Sequence, residues 1–489
     1  MKWLGGFVMR VQVNTKKVLG PYVDPTRWMN STLRYVPPVD FPEFLESRLG
    51  KPEIMRVWIT LDEYYDYRTD TTYPDFEIGT MRYPVEQLHY PYDMKLIVPA
   101  PSGTRFKDYL TCHAAHAKTL LLNVRRYERE VSDGVITYDQ YEKLFSDAVE
   151  FCKELAPNIR YIECCNEVDI ANFGLLNADE YVKIYLRAHH AITELNKKHN
   201  YDIPLEIGGL GMAHPLENFP LMEGIMERLK ASEIGDDPMA FYSYHMYNNP
   251  ADRSLYNGGH PERTGLSGLE KLRVIFDQHY DLVKRLGLPD RPVFLDELGR
   301  ARATGVDGDS IYNAAGLLSY LIAFSCGAFG QAYPFPWCTF HNPNLQMSYT
   351  QYLHRDGDFV ATPNGIAVEM LHSLTGDRLD CTVSELDCKD KDFCAIAVRN
   401  GEEVAVLATN PTTESMPCIV ELNGLKDGDY RVEVYSCNLL QNNTVYKNGK
   451  GTGKLEKSDE KILTVQNGTL QTMELYDKDC FSLFRMMPV

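Results

Sequence analysis

Apolar and polar positions alternate between two periods along the chain. Short apolar runs recur at residues 8–13, 54–60 (IMRVWIT), 119–125 (TLLLNVR), 160–167 (RYIECCNE), 204–212, 240–248, 292–299 and 328–337. Between several of them lie stretches whose apolar residues stand three and four apart, at 138–155, 178–199, 269–286 and 310–326. That spacing is the period of an amphipathic helix. Strand alternating with helix predicts a parallel sheet, and eight such units predict closure into a (β/α)8 barrel. After residue 376 the period changes to two. Residues 392–399 alternate, Asn400-Gly401 marks a tight hairpin, and Asn423-Gly424 and Asp427-Gly428 punctuate the next strands. The expected architecture is a TIM barrel over residues 1–375 followed by an all-β sandwich over 376–489.

One segment breaks the rhythm. Residues 62–101 follow the second strand and carry Tyr64, Tyr65, Tyr67, Tyr73, Tyr83, Tyr90 and Tyr92. A connection that long is an excursion with its own small core or a wall of a cleft, because loops after barrel strands gather at the catalytic face.

Composition narrows the function classes. The chain has 489 residues, enough for a barrel of about 250 residues and a second module. The net charge of -18 repels phosphate backbones, which argues against a nucleic-acid partner. The 12 cysteines show neither C-x-x-C nor a Cys/His spacing that suggests zinc, so mostly reduced thiols and no metal or cofactor are expected. No apolar run of about 18 residues is present to span a membrane. The first residues carry no convincing signal peptide, although export from a longer precursor stays open. Oligomeric state and compartment do not follow from the sequence.

The chemistry-bearing residues sit where strands end. Glu167 closes the fourth apolar run and Glu297 lies at the end of the seventh, and barrel enzymes place catalytic groups at the carboxyl ends of strands. Cleaving a glycosidic bond needs such a pair: one carboxylic acid protonates the leaving oxygen, the other attacks or stabilises the anomeric carbon. Asn166 precedes Glu167, and its amide suits a sugar hydroxyl. His245 and Tyr247 share one face of the sixth strand, and Arg56 and Trp58 share one face of the second. His245 is read as a substrate contact or a residue behind one, and Tyr247 as a hydrogen-bond partner of Glu297. Arg56 is expected to pair with Glu297 or with Glu163, which lies deeper in the fourth strand. Trp337 ends the eighth run, and a flat indole suits the apolar face of a pyranose. His341 and His354 are weaker candidates beyond that strand, as are Tyr64 and Tyr65. Alternation turns Asp296 away from the face used by Glu297, toward a helix.

These motifs resemble clan A of the glycoside hydrolases, in which an Asn-Glu pair ends strand four and a Glu ends strand seven. Within the clan the chain is most similar to family 39, the β-xylosidase and α-L-iduronidase group, over roughly residues 8–375. CNEVD (residues 165–169) stands where that family has Trp-Asn-Glu-Pro-Asn, LDELG (295–299) matches its nucleophile strand, and RVW (56–58) matches its second strand with Trp58 in place of His. The resemblance implies a retaining hydrolase with Glu167 as acid/base, Glu297 as nucleophile and an oligo- or polysaccharide as substrate. Cys165 and Trp58 depart from the family at the sugar-binding region, so its substrates do not transfer. The competing readings are a catalytically inactive carbohydrate-binding barrel, a transglycosylase using the same glutamates, and a metal-dependent hydrolase. The last would need His and Asp ligands at strand ends that here offer Gly-Leu-Gly-Met and no His-x-His.

Overall fold

The computed structural model describes residues 8–31, 40–80, 103–170, 173–247, 266–300, 311–340, 350–355, 357–384, 392–412, 415–444 and 452–489. Eight parallel strands form the barrel in chain order: Trp28–Asn30, Ile54–Thr60, Thr119–Arg125, Ile159–Cys164, Glu206–Met212, Tyr242–Tyr247, Val293–Gly299 and Ala332–Pro336. Their pairing is sequential. The seam between first and eighth strands is closed by a side chain. Asn30 Nδ2 lies 3.1 Å from Phe335 O, 3.4 Å from Pro336 O and 2.7 Å from Asp296 O.

A helix follows each strand, and local chemistry sets its start. Thr137 with Gln140, Asn177 with Glu180, and Ser267 with Glu270 form capping boxes that satisfy the first free N–H groups of Tyr138–Leu155, Ala178–His199 and Gly268–Leu286. The helix Ile311–Ser325 differs from these amphipathic ones. It is mostly apolar and buried at every position but Tyr312, as expected of a helix covered on both sides. One side meets the barrel. The other meets the second module, where Thr409 Oγ1 donates to Ala315 O at 2.9 Å and Ser319 Oγ donates to Asp392 O at 2.6 Å.

The second module is a nine-stranded, mostly antiparallel sheet folded on itself around its own core. It corrects one expectation. The N-terminal run at residues 8–13 is not the first barrel strand. It belongs to Met9–Pro21, which lies between Asp377–Val383 (antiparallel) and Met416–Asn423 (parallel) in this sheet. The physical reason is visible in its burial, which alternates residue by residue from Met9 to Thr15, whereas Ile54–Thr60 is buried throughout. Alternation marks a strand with one wet face, and a continuous apolar run marks a barrel strand covered on both faces. The first barrel strand is instead the three-residue Trp28–Asn30.

The two modules interlock. Asp392 of the second module accepts from the N–H groups of Gly268 and Leu269 at 2.9 Å each, capping a barrel helix. Arg300, just past the seventh strand and buried, donates to Asp479 Oδ1 at 3.2 Å and to Pro411 O. The described cysteines are free thiols. Among the described residues no helix is long and apolar enough to cross a membrane.

Candidate active site

The barrel mouth is built around one buried guanidinium. Arg56 projects inward from the second strand with no exposure. Its Nη1 donates to Glu297 Oε1, its Nε to Glu163 Oε2 and its Nη2 to Asn166 Oδ1, each at 2.9 Å. The sequence left Glu163 and Glu297 as rival partners, and the structure supplies both. Burial opposes the charge of Arg56, but the surrounding carboxylates more than compensate and hold its proton far more firmly than usual.

Glu167 reaches the same place by an unusual route. The fourth strand ends at Cys164, and the next residues adopt left-handed conformations, Cys165 at φ +70° and Glu167 at φ +47°. The segment is fastened on both sides: Cys165 N donates to Val124 O at 3.0 Å and Glu167 N to Gly211 O at 2.6 Å. Gly211 itself has φ +49°, and a Cβ there would lie 3.3 Å from Glu163 Oε1 and 3.6 Å from Asn166 Cα. The glycines of the fifth strand thus let the Asn166-Glu167 turn approach closely. Asp169 completes the fastening, accepting from Ala213 N at 2.7 Å and from His214 N and Asn218 Nδ2 at 2.9 Å each.

The sixth strand supplies partners to both glutamates. His245 Nδ1 is 2.8 Å from Glu167 Oε1 and 3.5 Å from Glu297 Oε2. Burial disfavours its cation, and the two glutamates offset this, so its pKa is raised above the ordinary value. Tyr247 donates to Glu297 Oε2 at 2.8 Å. Both oxygens of Glu297 are therefore occupied by donors, which fixes its orientation. Arg56 and His245 are wholly enclosed, while the Glu167 and Glu297 side chains keep 15% and 7% of their surface exposed. Of these four side chains only the glutamates keep exposed surface. Arg56 and His245 lie behind them.

Trp58 and Trp337 stand together beside the pair, ring centroids 5.5 Å apart at 69°. Arg56 and Arg125 each place a guanidinium within 6 Å of the Trp58 ring, at 5.5 and 5.7 Å. The peptide bond after Trp337 is cis. One hollow is lined by Trp58, Thr60, Glu63, Tyr109 and Arg125, and another by His214, Glu217, His245, Tyr247 and Lys271. Asn166 gives its amide oxygen to Arg56, which leaves its NH2 as the end able to donate.

Other candidates lie elsewhere. His354 is exposed on a short hairpin against Phe359, with centroids 5.2 Å apart. Tyr64 is buried, its ring stacked 5.6 Å from Phe151, and the Tyr65 hydroxyl donates to Asp70. That half of the excursion packs against the main barrel core rather than forming a core of its own. Tyr83, Tyr90, Tyr92 and His341 lie outside the described residues.

Asp296 corrects the alternation argument. It does not turn toward a helix. It lies inside the barrel with no exposure, Oδ2 3.2 Å from Arg56 Nε and Oδ1 3.6 Å from His245 Nε2. The cause is a β-bulge. Leu295 and Glu297 face the consecutive residues Tyr244 and His245, so Asp296 is the extra residue, and the register also shifts against the eighth strand. A bulge re-aims side chains and breaks strict alternation.

Two inward residues escaped the sequence reading. Asn123 Nδ2 donates to Glu163 Oε2 at 2.8 Å and to Cys165 O at 2.6 Å, and Ser243 Oγ donates to Glu163 Oε1 at 2.7 Å. The signal was available for both. Asn123 interrupts an otherwise apolar strand, and Ser243 shares the parity of His245 and Tyr247. Among the described residues, two triads have ligand atoms within 4.8 Å of one another, Glu163 with His245 and Asp296, and Glu167 with His245 and Glu297. A metal ion at either would have to compete with the charge of Arg56.

No protein-family model matches the chain, and no curated protein matches it at the level of sequence. Solved structures do match over the whole chain. A glucosidase from Croceicoccus marinus aligns at 15% identity over 99% of this chain and 99% of its own, with a TM-score of 0.61. A monomeric β-xylosidase from Caulobacter crescentus CB15 aligns at 15% identity over 98% and 99%, with a TM-score of 0.65. The glycoside hydrolase family 39 enzyme from Xanthomonas axonopodis pv. citri aligns at 14% identity over 98% and 97%, with a TM-score of 0.62. The chain shares the fold of these proteins, barrel and sandwich together.

Proposed function

We propose that this chain is a retaining glycoside hydrolase acting on an oligo- or polysaccharide, with Glu297 as nucleophile and Glu167 as acid/base. One observation carries the reading: a carboxyl oxygen of Glu167, just past the fourth strand, and one of Glu297, near the end of the seventh, lie within 4.8 Å of each other. Retaining enzymes hold the two groups about 5 to 5.5 Å apart, whereas inverting ones need about 6.5 to 9.5 Å to admit a water between carboxylate and sugar. The proximity favours direct attack, and the shared fold with glycosidases points the same way.

The surrounding contacts support a role for each residue. Glu297, oriented by Arg56 and Tyr247, attacks the anomeric carbon. Glu167 gives its proton to the departing glycosidic oxygen, so the bond to the leaving sugar breaks as the glycosyl ester to Glu297 forms. Glu167 then takes a proton from water, whose oxygen displaces Glu297 and restores the starting configuration. His245, 2.8 Å from Glu167, positions that carboxyl through both proton transfers. The NH2 of Asn166 lies beside Glu167 as a donor for a sugar hydroxyl, and Trp337 with Trp58 offers an aromatic wall for the ring.

NMR of the first product formed from an aryl glycoside tests the mechanism. The expected product has the anomeric configuration of the substrate. Initial product of opposite configuration overturns retention, and failure to cleave any of a panel of aryl glycosides and oligosaccharides overturns the enzymatic reading.

A further inference from the structure

Three carboxyl groups surround Arg56, and the mechanism uses only one of them, Glu297. Glu163 and Asp296 are fully buried beneath the nucleophile. Their surroundings differ sharply. Glu163 accepts from Arg56 Nε, from Asn123 Nδ2 and from Ser243 Oγ, at 2.9, 2.8 and 2.7 Å. Neither oxygen of Asp296 accepts a hydrogen bond from a donor of the described residues. Its nearest cation, Arg56 Nε at 3.2 Å, already directs its hydrogen to Glu163, and His245 Nε2 stands off at 3.6 Å.

A buried carboxylate without donors costs several kcal/mol. If Asp296, Glu163 and Glu297 were all ionised, they would place three negative charges around one guanidinium. A carboxylic acid beside a carboxylate resolves both problems, because the pair then shares one proton and one charge. We propose that Asp296 is a neutral acid whose O–H donates to the Glu163 carboxylate, so that the pair carries a single negative charge and Arg56 retains its hold on Glu297. The groups facing Asp296 are Arg56 from the second strand, Glu163 from the fourth, His245 from the sixth and Glu297 from its own. Burial and then the adjacent Glu163 charge raise the Asp296 pKa well above the carboxylate range. Burial works against the charge of Glu163, but Arg56 and the hydrogen bond from Asp296 bring it below its usual value. Asp296 thus acts as a positioning residue. This role rests on the reading of Glu297 as nucleophile, whereas the protonation state of Asp296 does not.

Infrared spectroscopy separates the two. In the unaltered protein at neutral pH, a protonated-carboxyl C=O band should shift on 13C-aspartate labelling but not on 13C-glutamate labelling, and it should vanish in Asp296→Asn. A difference spectrum that loses only carboxylate bands overturns the proposal, whatever the protein catalyses. In turnover, Asp296→Leu, which cannot donate, should lower kcat/KM about tenfold, and Asp296→Asn, whose NH2 can donate to Glu163, should recover most of the loss. The acid limb of the Asp296→Asn pH profile should stay in place, because no charge is removed. A move of that limb to lower pH in Asp296→Asn would mean that Asp296 carries the charge and would overturn the proposal. If no glycoside is cleaved by the unaltered protein, the functional reading fails and the infrared result still decides Asp296.

Discussion

Tyr247 donates its hydroxyl hydrogen to Glu297 Oε2 at 2.8 Å. The phenol thereby fixes the oxygen that Arg56 does not reach. A hydrogen bond to a charged group contributes about 1.5 to 3 kcal/mol, so Tyr247→Phe should lower kcat/KM roughly 10- to 150-fold. The loss belongs in kcat, since the bond orients the nucleophile rather than the bound sugar. Steady-state kinetics on one aryl glycoside checks this, and a change confined to KM would reassign Tyr247 to substrate binding.

Glu167 should show its role through the leaving group. Glu167→Ala removes the proton donor, so substrates with poor leaving groups should lose nearly all turnover, while activated aryl glycosides keep much of their first step. Azide should then restore turnover by attacking the glycosyl ester in place of water. Equal losses across leaving groups, with no azide effect, would remove Glu167 from the acid/base role.

Acid should destabilise the fold through a buried histidine remote from the glutamates. His279 lies 2.7 Å from the Tyr244 hydroxyl, and burial lowers its pKa from 6.5 to about 3. Below pH 6.5 the unfolded chain gains a proton that the native state does not. Stability is therefore full above that value and declines as pH falls toward 3. Between pH 6.5 and pH 5 the loss is roughly 2 kcal/mol from this residue. Chemical denaturation of His279→Gln at the two pH values should show a correspondingly smaller acid loss than the unaltered protein.

The link between modules should be measurable at Arg300. Its guanidinium is buried and pairs with Asp479 of the second module. Asp479→Ala would strand that charge, at a cost on the order of 3 kcal/mol. Gly316→Ala should act on the same side chain from the barrel helix, because a Cβ there would sit 1.9 Å from Arg300 Cδ. That clash should cost about 1 to 3 kcal/mol. Calorimetry should show lowered thermal midpoints for both. An unchanged midpoint in both variants would mean that the clamp does not hold the modules together.

Much of this architecture is legible in local patterns. Ile54–Thr60, Thr119–Arg125, Tyr138–Leu155 and Ala178–His199 begin and end where periodicity and capping residues place them, because those signals act over a few neighbouring residues. The placement of Glu167 and Glu297 at the barrel mouth was legible for the same reason, since a carboxylate at the end of an apolar run is a local event. Three features were not. Met9–Pro21 joined the sandwich because its partners, Asp377–Val383 and Met416–Asn423, lie hundreds of residues away, and pairing over that distance leaves no mark in a short window. Trp28–Asn30 is too short to display any period, and its place in the barrel depends on Asn30 meeting the carbonyls of the eighth strand. Asp296 turned inward because the seventh strand has one residue more than its neighbour can pair. Such a mismatch exists only when two strands are side by side, and here it brings a third carboxyl up to Arg56.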